Sequence, residues 1–139
     1  MTDAVASSLI FMPDQIEDIV QHCREDYPNE ACGLLAGSGN EVQRVFRMTN
    51  VEHSPVVYVM DPKEQLKIFD EIDRDGQELI AIYHSHTHSQ AYPSATDVRM
   101  AYYPESVYVI VSLADMENPV SRAFRIVDGQ VREIEVIVR

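Results

Sequence analysis

Basic residues are scarce in this sequence. Lys and Arg together number 11 against 23 Asp plus Glu, a formal net charge of −12. Basic patches supply most of the affinity for nucleic acid, so this balance argues against that class of partner, and against an anionic membrane surface as well. A basic protein partner remains compatible with it. Cysteine is equally thin: Cys23 and Cys32 make no disulfide framework in a chain of 139 residues. Long apolar runs are missing, since no segment approaches the ~20 residues of a membrane span. The run Leu9 to Met12, with no basic segment before it, is too short for a signal peptide. A cytoplasmic protein is the expectation. There is no internal repeat, low-complexity run or linker, so residues 1–139 read as a single domain, too short for a (β/α)8 barrel.

The hydrophobic fraction is 45% and the charged fraction 24%, values of a soluble globular protein. Gln15 to Tyr27 carries Ile16, Ile19, Val20, Cys23 and Tyr27 at helical spacing after Pro13, with His22 expected on the helix surface. ACGLLAG, a turn over Gly37 to Asn40, and EVQRVFRM read as a hairpin. DPKE opens a second helix: Asp61 caps, Pro62 takes the first position and Glu64 completes a capping box. Leu66, Phe69 and Ile72 are its expected buried stripe, with Gly76 as its stop. ELIAIYH is a continuous apolar run of strand length, hence a central strand. Ser94 to Tyr102 predicts a short third helix. SVYVIVSL, SRAFRIV and QVREIEVIVR are further strands, the last two joined at Asp128-Gly129. The fold class expected is α/β (α+β): a mixed, mostly antiparallel sheet with two larger helices and one short one.

Chemistry gathers in YHSHTHSQAYPSATD, Tyr83 to Asp97. If Tyr83 to His86 continue the strand, His84 and His86 point to one face, roughly 6.5–7 Å apart along the backbone. Two imidazoles so placed can converge on one ion, and Asp97, in the first turn of the next helix, is the candidate third ligand. Three protein ligands leave a position for water, as in catalytic rather than structural zinc sites. Such a water needs a proton acceptor that is not itself a tight ligand. Glu30, in YPNEACGLLAG, stands immediately before a buried apolar strand; it is either that base or a strand-edge residue facing water. Ser94-x-x-Asp97 is also a capping-box pattern worth about 1 kcal/mol to the following helix. A ligating Asp97 is not expected to cap back, whereas Ser94 can still direct its hydroxyl at a developing oxyanion. His88 continues the alternation, but Ser89, Gln90 and Pro93 place it in a loop near the pocket; His53 is a loop histidine. Cys32 falls on the face of Glu30, as a small buried thiol.

Glu30, His84-x-His86, seven residues, then Ser94-x-x-Asp97 resembles the JAMM (MPN+, Mov34-type) zinc metalloprotease signature E…HxHx7SxxD at every position. EACGLLAG, MTNVEHSP, YHSHT…AYPSATDV and FRIVDG are similar to the small bacterial enzymes of the CysO-cysteine peptidase type. The resemblance implies a cytidine-deaminase-like JAMM sandwich that binds Zn2+ through His84, His86 and Asp97. It implies Glu30 as general base and then acid, and Ser94 as oxyanion stabiliser. The implied substrate is a ubiquitin-like sulfur-carrier protein, hydrolysed after its C-terminal Gly-Gly to release cysteine or a short peptide in cysteine or thio-metabolite biosynthesis. Thr87-His88 departs from the proline that many members carry after the second histidine, which puts the loop shape in question. Competing readings are an isopeptidase on another ubiquitin-like conjugate, a non-catalytic binding module of the same fold, and another HxH metal enzyme. A binding module would be expected to have lost ligands, and phosphoesterases and amidohydrolases carry HxH near the start of larger barrels. Neither HExxH of zincins nor PCxxC of zinc deaminases is present.

Overall fold

The computed structural model describes residues 7–139. The elements run β1 (Ser8–Phe11), α1 (Pro13–Asp26), β2 (Cys32–Ser38), β3 (Glu41–Met48), α2 (Pro62–Arg74), β4 (Glu78–His86), α3 (Ala95–Arg99), β5 (Val107–Ser112), β6 (Val120–Val127) and β7 (Gln130–Val138). The strands pair in the order β1-β3-β2-β4-β5-β6-β7, and β1 closes the ring by lying between β7 and β3. β4 runs parallel to β5, and β1 parallel to both its neighbours; the other pairs are antiparallel. The expected mixed, mostly antiparallel sheet with two larger helices and a short one is therefore present. β1 went unforeseen: SLIF has no turn signals of its own, and it becomes a strand by pairing along its whole length with β7.

Register sorts the side chains into two layers, because successive residues of a strand point to opposite faces. Leu35, Ala81, Tyr83, Val107, Val109 and Val111 face α1 and pack with its Ile19 and Cys23. Cys32, Leu34, Ile82, Tyr108, Ile110 and Phe124 face the other way and pack with Ile72, Ile68 and Phe69 of α2. Each fully buried Leu, Ile or Phe contributes about 1.5–3 kcal/mol of apolar burial, so these layers hold the strand ends that carry the site. Cys23 and Cys32 are free thiols buried in opposite layers.

Several local expectations need correcting. The buried stripe of α2 is Ile68, Phe69 and Ile72, while Leu66 is 73% exposed. Gln65, not Leu66, turns inward, where its Nε2 donates to the Tyr103 hydroxyl at 3.2 Å. Asp61 caps α2 by accepting from Lys63 and Glu64, but Glu64 does not reach back to it. The Glu64 carboxylate instead accepts from Thr49 N–H (2.8 Å) and Oγ1–H (2.7 Å). Gly76 does end the helix, at φ 68°, with Gln77 N–H donating to the Ile72 carbonyl. The third helix stops at Arg99, short of Tyr102. His22 is buried rather than on the helix surface: its Nδ1 lies 2.6 Å from the Tyr83 hydroxyl and its Nε2 3.2 Å from Asp26 Oδ2.

Candidate metal centre

β4 carries its strand conformation through His86, so His84 and His86 share the α2-facing side. His84 lies between Cys32 and Ile110, and His86 beside Ser112. The chain then loops back through α3, as a crossover between parallel strands requires, and Asp97 in its first turn meets both rings. His86 Nε2 is 2.8 Å from Asp97 Oδ2, and His84 Nε2 is 3.2 Å from Asp97 Oδ1 without hydrogen-bonding geometry. One ligand atom from each of the three residues falls within 4.8 Å of the others.

These residues fit a metal ion. The His86 Nδ1 faces the Gln90 carbonyl at 2.8 Å, and since a carbonyl only accepts, that nitrogen holds the proton. Nε2 is thereby the nitrogen left to face Asp97: it donates to Oδ2 when the ring is protonated and is free to ligate a cation when it is not, as in metal-ligating imidazoles. His84 is fully buried, and neither ring nitrogen has a hydrogen-bond partner among the described residues, an expensive state for a polar group unless a cation completes it. Burial lowers the His84 pKa, which keeps the ring neutral and competent as a ligand. Burial works against protonation of His86 too, but hydrogen bonds to Asp97 and Gln90 prevail and raise it. Burial likewise opposes ionisation of Asp97, yet its contacts with the two histidines and the Ser94 N–H hold the carboxyl well below its usual range.

Glu30 sits beside this set, buried, with Oε1 unpartnered. Desolvation pushes its carboxyl up to about 8, with His86 lowering it and Asp97 raising it. Its backbone is fixed from three sides. Glu30 N–H donates to the Ser54 carbonyl (2.8 Å), and Asn50 Nδ2 donates to the Glu30 carbonyl (3.0 Å). The next residue, Ala31, donates to Ser85 Oγ (2.8 Å) and accepts from Ser85 N–H (3.1 Å), between the two histidines on β4. The water-facing strand-edge alternative for Glu30 is therefore excluded by its burial.

Ser94 N-caps α3. Its Oγ accepts from Asp97 N–H at 3.0 Å, and Asp97 Oδ2 accepts from Ser94 N–H at 2.9 Å, so the capping box is complete. Contrary to expectation, the same carboxylate caps and faces the histidines: a carboxylate has lone pairs enough for both. The Ser94 hydroxyl proton has no acceptor among the described residues.

Sequence reasoning missed two residues here. Tyr58 stacks on His84, with ring centroids 4.6 Å apart at 27°. Buried Asn50 holds the loop before α2: Nδ2 also donates to Val57 and Oδ1 accepts from Glu52 and Val59. Both lie in the segment Asn50 to Tyr58, but nothing in their spacing announces the contacts. His88 is outside the cluster, exposed, with Nε2 3.2 Å from the Tyr27 hydroxyl and Nδ1 2.8 Å from Thr87 Oγ1. Thr87 in turn donates to the Pro55 carbonyl, so Thr87-His88 ties the end of β4 to α1 and to the Asn50–Tyr58 loop. Cys32 is buried, and desolvation pushes its thiol up to about 12, which makes it inert.

A sheet holding a His–His–Asp set beside a buried glutamate is the architecture of a JAB domain. The family model for prokaryotic homologs of the JAB domain matches residues 13–127, and the chain belongs to that family. It is 43% identical over 132 residues to the CysO-cysteine peptidase of Mycobacterium tuberculosis, covering 94% of this chain and 90% of that protein. It is 38% identical over 114 residues to the desampylase of Haloferax volcanii, covering 77% and 82% of the two. A solution structure of a protein from Desulfitobacterium hafniense superposes with a TM-score of 0.86 at 38% identity, covering 94% and 92% of the two chains. No helix of the described residues is long and apolar enough to cross a membrane.

Proposed function

We propose that this chain is a zinc peptidase of one catalytic domain that hydrolyses the bond after the C-terminal Gly-Gly of a ubiquitin-like sulfur-carrier protein, releasing cysteine or a short peptide. The supporting observation is the pair of unpartnered nitrogens on buried His84, set against Asp97 and His86 and beside a glutamate whose proton affinity burial has raised. His84, His86 and Asp97 would hold the ion. A bound zinc lowers the pKa of a coordinated water to about 7 and polarises the scissile carbonyl.

Glu30 takes the proton as the water oxygen bonds to the glycine carbonyl carbon. The Ser94 hydroxyl donates to the oxygen that becomes negative. Glu30 then returns the proton to the amine nitrogen as the C–N bond breaks, leaving a Gly-Gly carboxylate and a free amine. The raised affinity of Glu30 suits both tasks, since a cation on the neighbouring ligands draws it down into the range of a base working near neutral pH. A diglycine lacks side chains and can lie flat beside the ligands, by strand addition along the Asn50–Tyr58 segment. Cytoplasmic carriage of such a substrate would place the enzyme there.

The name of the M. tuberculosis relative supports release of cysteine, and the name of a Thermus thermophilus relative 36% identical over 124 residues, a probable TtuB-protein conjugate cleaving protease, supports a second reading, cleavage of a protein conjugate. Incubation of the zinc-loaded protein with a carrier ending Gly-Gly-Cys, followed by intact mass spectrometry, separates them. Loss of one cysteine residue is the expected result. An unchanged mass with zinc bound, alongside cleavage of a lysine-linked conjugate, would replace the first reading by the second.

A further inference from the structure

Within the site, His86 is held at Nδ1 by the Gln90 carbonyl and Asp97 by the Ser94 N–H. Glu30 is different: its Oε1 is buried without a partner among the described residues. Where that oxygen lies is therefore set by the main chain of Glu30. A closed circuit of hydrogen bonds encloses that main chain. Glu30 N–H donates to the Ser54 carbonyl at 2.8 Å. The next carbonyl, that of Pro55, accepts from the Thr87 hydroxyl at 3.2 Å. Thr87 Oγ1 lies 2.8 Å from His88 Nδ1, and His88 Nε2 lies 3.2 Å from the hydroxyl of Tyr27, three residues before Glu30.

The direction of every bond follows from the first. A carbonyl only accepts, so the Thr87 hydroxyl proton goes to Pro55. Thr87 has no second proton, so its oxygen accepts from His88 Nδ1–H. In the neutral ring this leaves a lone pair on Nε2, which accepts from the Tyr27 hydroxyl. One tautomer and one orientation of each hydroxyl satisfy the whole chain. Thr87 is 3% exposed, so its two bonds are shielded from water. On the other side of Glu30, Ser85 Oγ and N–H hold Ala31. Residues 85 and 87, on either side of His86, thus grip the main chain before and after Glu30. A proline at position 87 would offer no side-chain donor or acceptor and would open the circuit.

Resting on the reading of Glu30 as the group that moves the proton, we propose that Thr87, His88 and Tyr27 are positioning residues: their hydrogen-bonded circuit fixes the main chain of Glu30 against the end of β4 and so sets its carboxylate at a working distance from His84, His86 and Asp97. A misplacement of about 1 Å at a reacting group costs about 10²-fold in rate, so loosening the circuit acts on kcat rather than on metal or substrate binding.

The test compares Thr87→Val, which keeps the shape and deletes the hydroxyl, with Thr87→Ser, which restores it. A third variant, Tyr27→Phe, keeps the ring beside His88 and deletes only the last bond. Three quantities are measured at one pH: cleavage of CysO ending Gly-Gly-Cys by the zinc-loaded chain, zinc affinity by competition with a chelator, and hydrogen exchange of the Glu30 amide in the metal-free chain by NMR. Thr87→Val is expected to lower kcat about tenfold at unchanged KM and zinc affinity. It should also speed exchange at Glu30 about fivefold, while the His84 amide keeps its wild-type rate. Thr87→Ser should return both values, and Tyr27→Phe should show a smaller change in the same direction. Wild-type kcat and exchange in Thr87→Val would overturn the proposal. So would a loss that Thr87→Ser shares, or an equal fall in zinc affinity, since either marks general packing. If Thr87→Val does not fold, Tyr27→Phe carries the same test, and unchanged kcat and Glu30 exchange in it count against the circuit. A wild type that cleaves nothing refutes the peptidase reading, while faster Glu30 exchange in the variants still supports the circuit. Cleavage by the wild type with unchanged kcat and exchange in the variants does the reverse.

Discussion

Gly33 is where the strand that leads out of Glu30 meets the strand that carries the histidines. A Cβ added to Gly33 would lie 2.0 Å from Tyr83 Cε2, 2.2 Å from Cζ and 2.5 Å from the hydroxyl oxygen, separations no pair of atoms tolerates. The ring cannot swing aside cheaply. Tyr83 is fully buried, packs edge-on against His22 at 5.8 Å, and shares a 2.6 Å hydrogen bond with it. Gly33→Ala therefore forces overpacking, about 1–3 kcal/mol, and strains a buried hydrogen bond worth about 1 kcal/mol. The sum, about 2–4 kcal/mol, corresponds to a fall in Tm of about 10 °C for a domain of this size. Because Tyr83 immediately precedes His84, zinc affinity should fall as well. The assay is calorimetric unfolding in the presence of a chelator, since bound metal would stabilise only the folded state and mask the difference. Gly76→Ala is the control: it has nothing within 4 Å of its Cβ and only a φ of 68° to maintain, a cost of about 1 kcal/mol. If Gly33→Ala lost no more stability than Gly76→Ala, the packing of Tyr83 against β2 would be refuted.

Three further outcomes follow from the same geometry. In the metal-free protein Glu30 binds its proton more tightly folded than unfolded, so its contribution is complete below about pH 4.5 and is lost as pH rises through about 8. Denaturant titrations at pH 5 and pH 8 should show wild type losing more stability over that window than Glu30→Gln, which has no such proton to lose; parallel curves would contradict the burial of a carboxyl there. Ser94→Ala should cost about 1 kcal/mol through the lost cap and lower kcat about 10²-fold with little change in KM, if its hydroxyl meets the oxyanion. Asn50→Ala removes four hydrogen bonds from the loop beside Glu30, and proteolysis of Asn50–Tyr58 should become markedly faster than in wild type.

The parts of this fold legible in the sequence are those whose signal is local. Asp61-Pro62 opens its helix, and Gly76 and Asp128-Gly129 end their elements, where the chain says they should, and the spacing of His84, His86 and Asp97 needs only a strand followed by a helix. The parts that were not legible depend on distant partners. β1 exists because Ser8–Phe11 finds β7 at the other end of the chain. His22 reads as a surface residue until Tyr83, 61 positions away, supplies its partner. Leu66 fits the helical period as well as Ile68 does; the choice is made by Gln65, which bonds to Tyr103 and turns Leu66 outward. Glu64 has the spacing of a capping box, but the Thr49 N–H and hydroxyl offer its carboxylate two donors instead of one.

The central claim is a division of labour: three residues hold the ion and a fourth moves the proton. Zinc content and turnover of Glu30→Gln, measured on the same preparation with a carrier ending Gly-Gly-Cys, test it most directly. The account predicts zinc per chain equal to wild type with cleavage reduced at least about 10²–10⁴-fold. Near-native cleavage, or loss of the zinc, would contradict it.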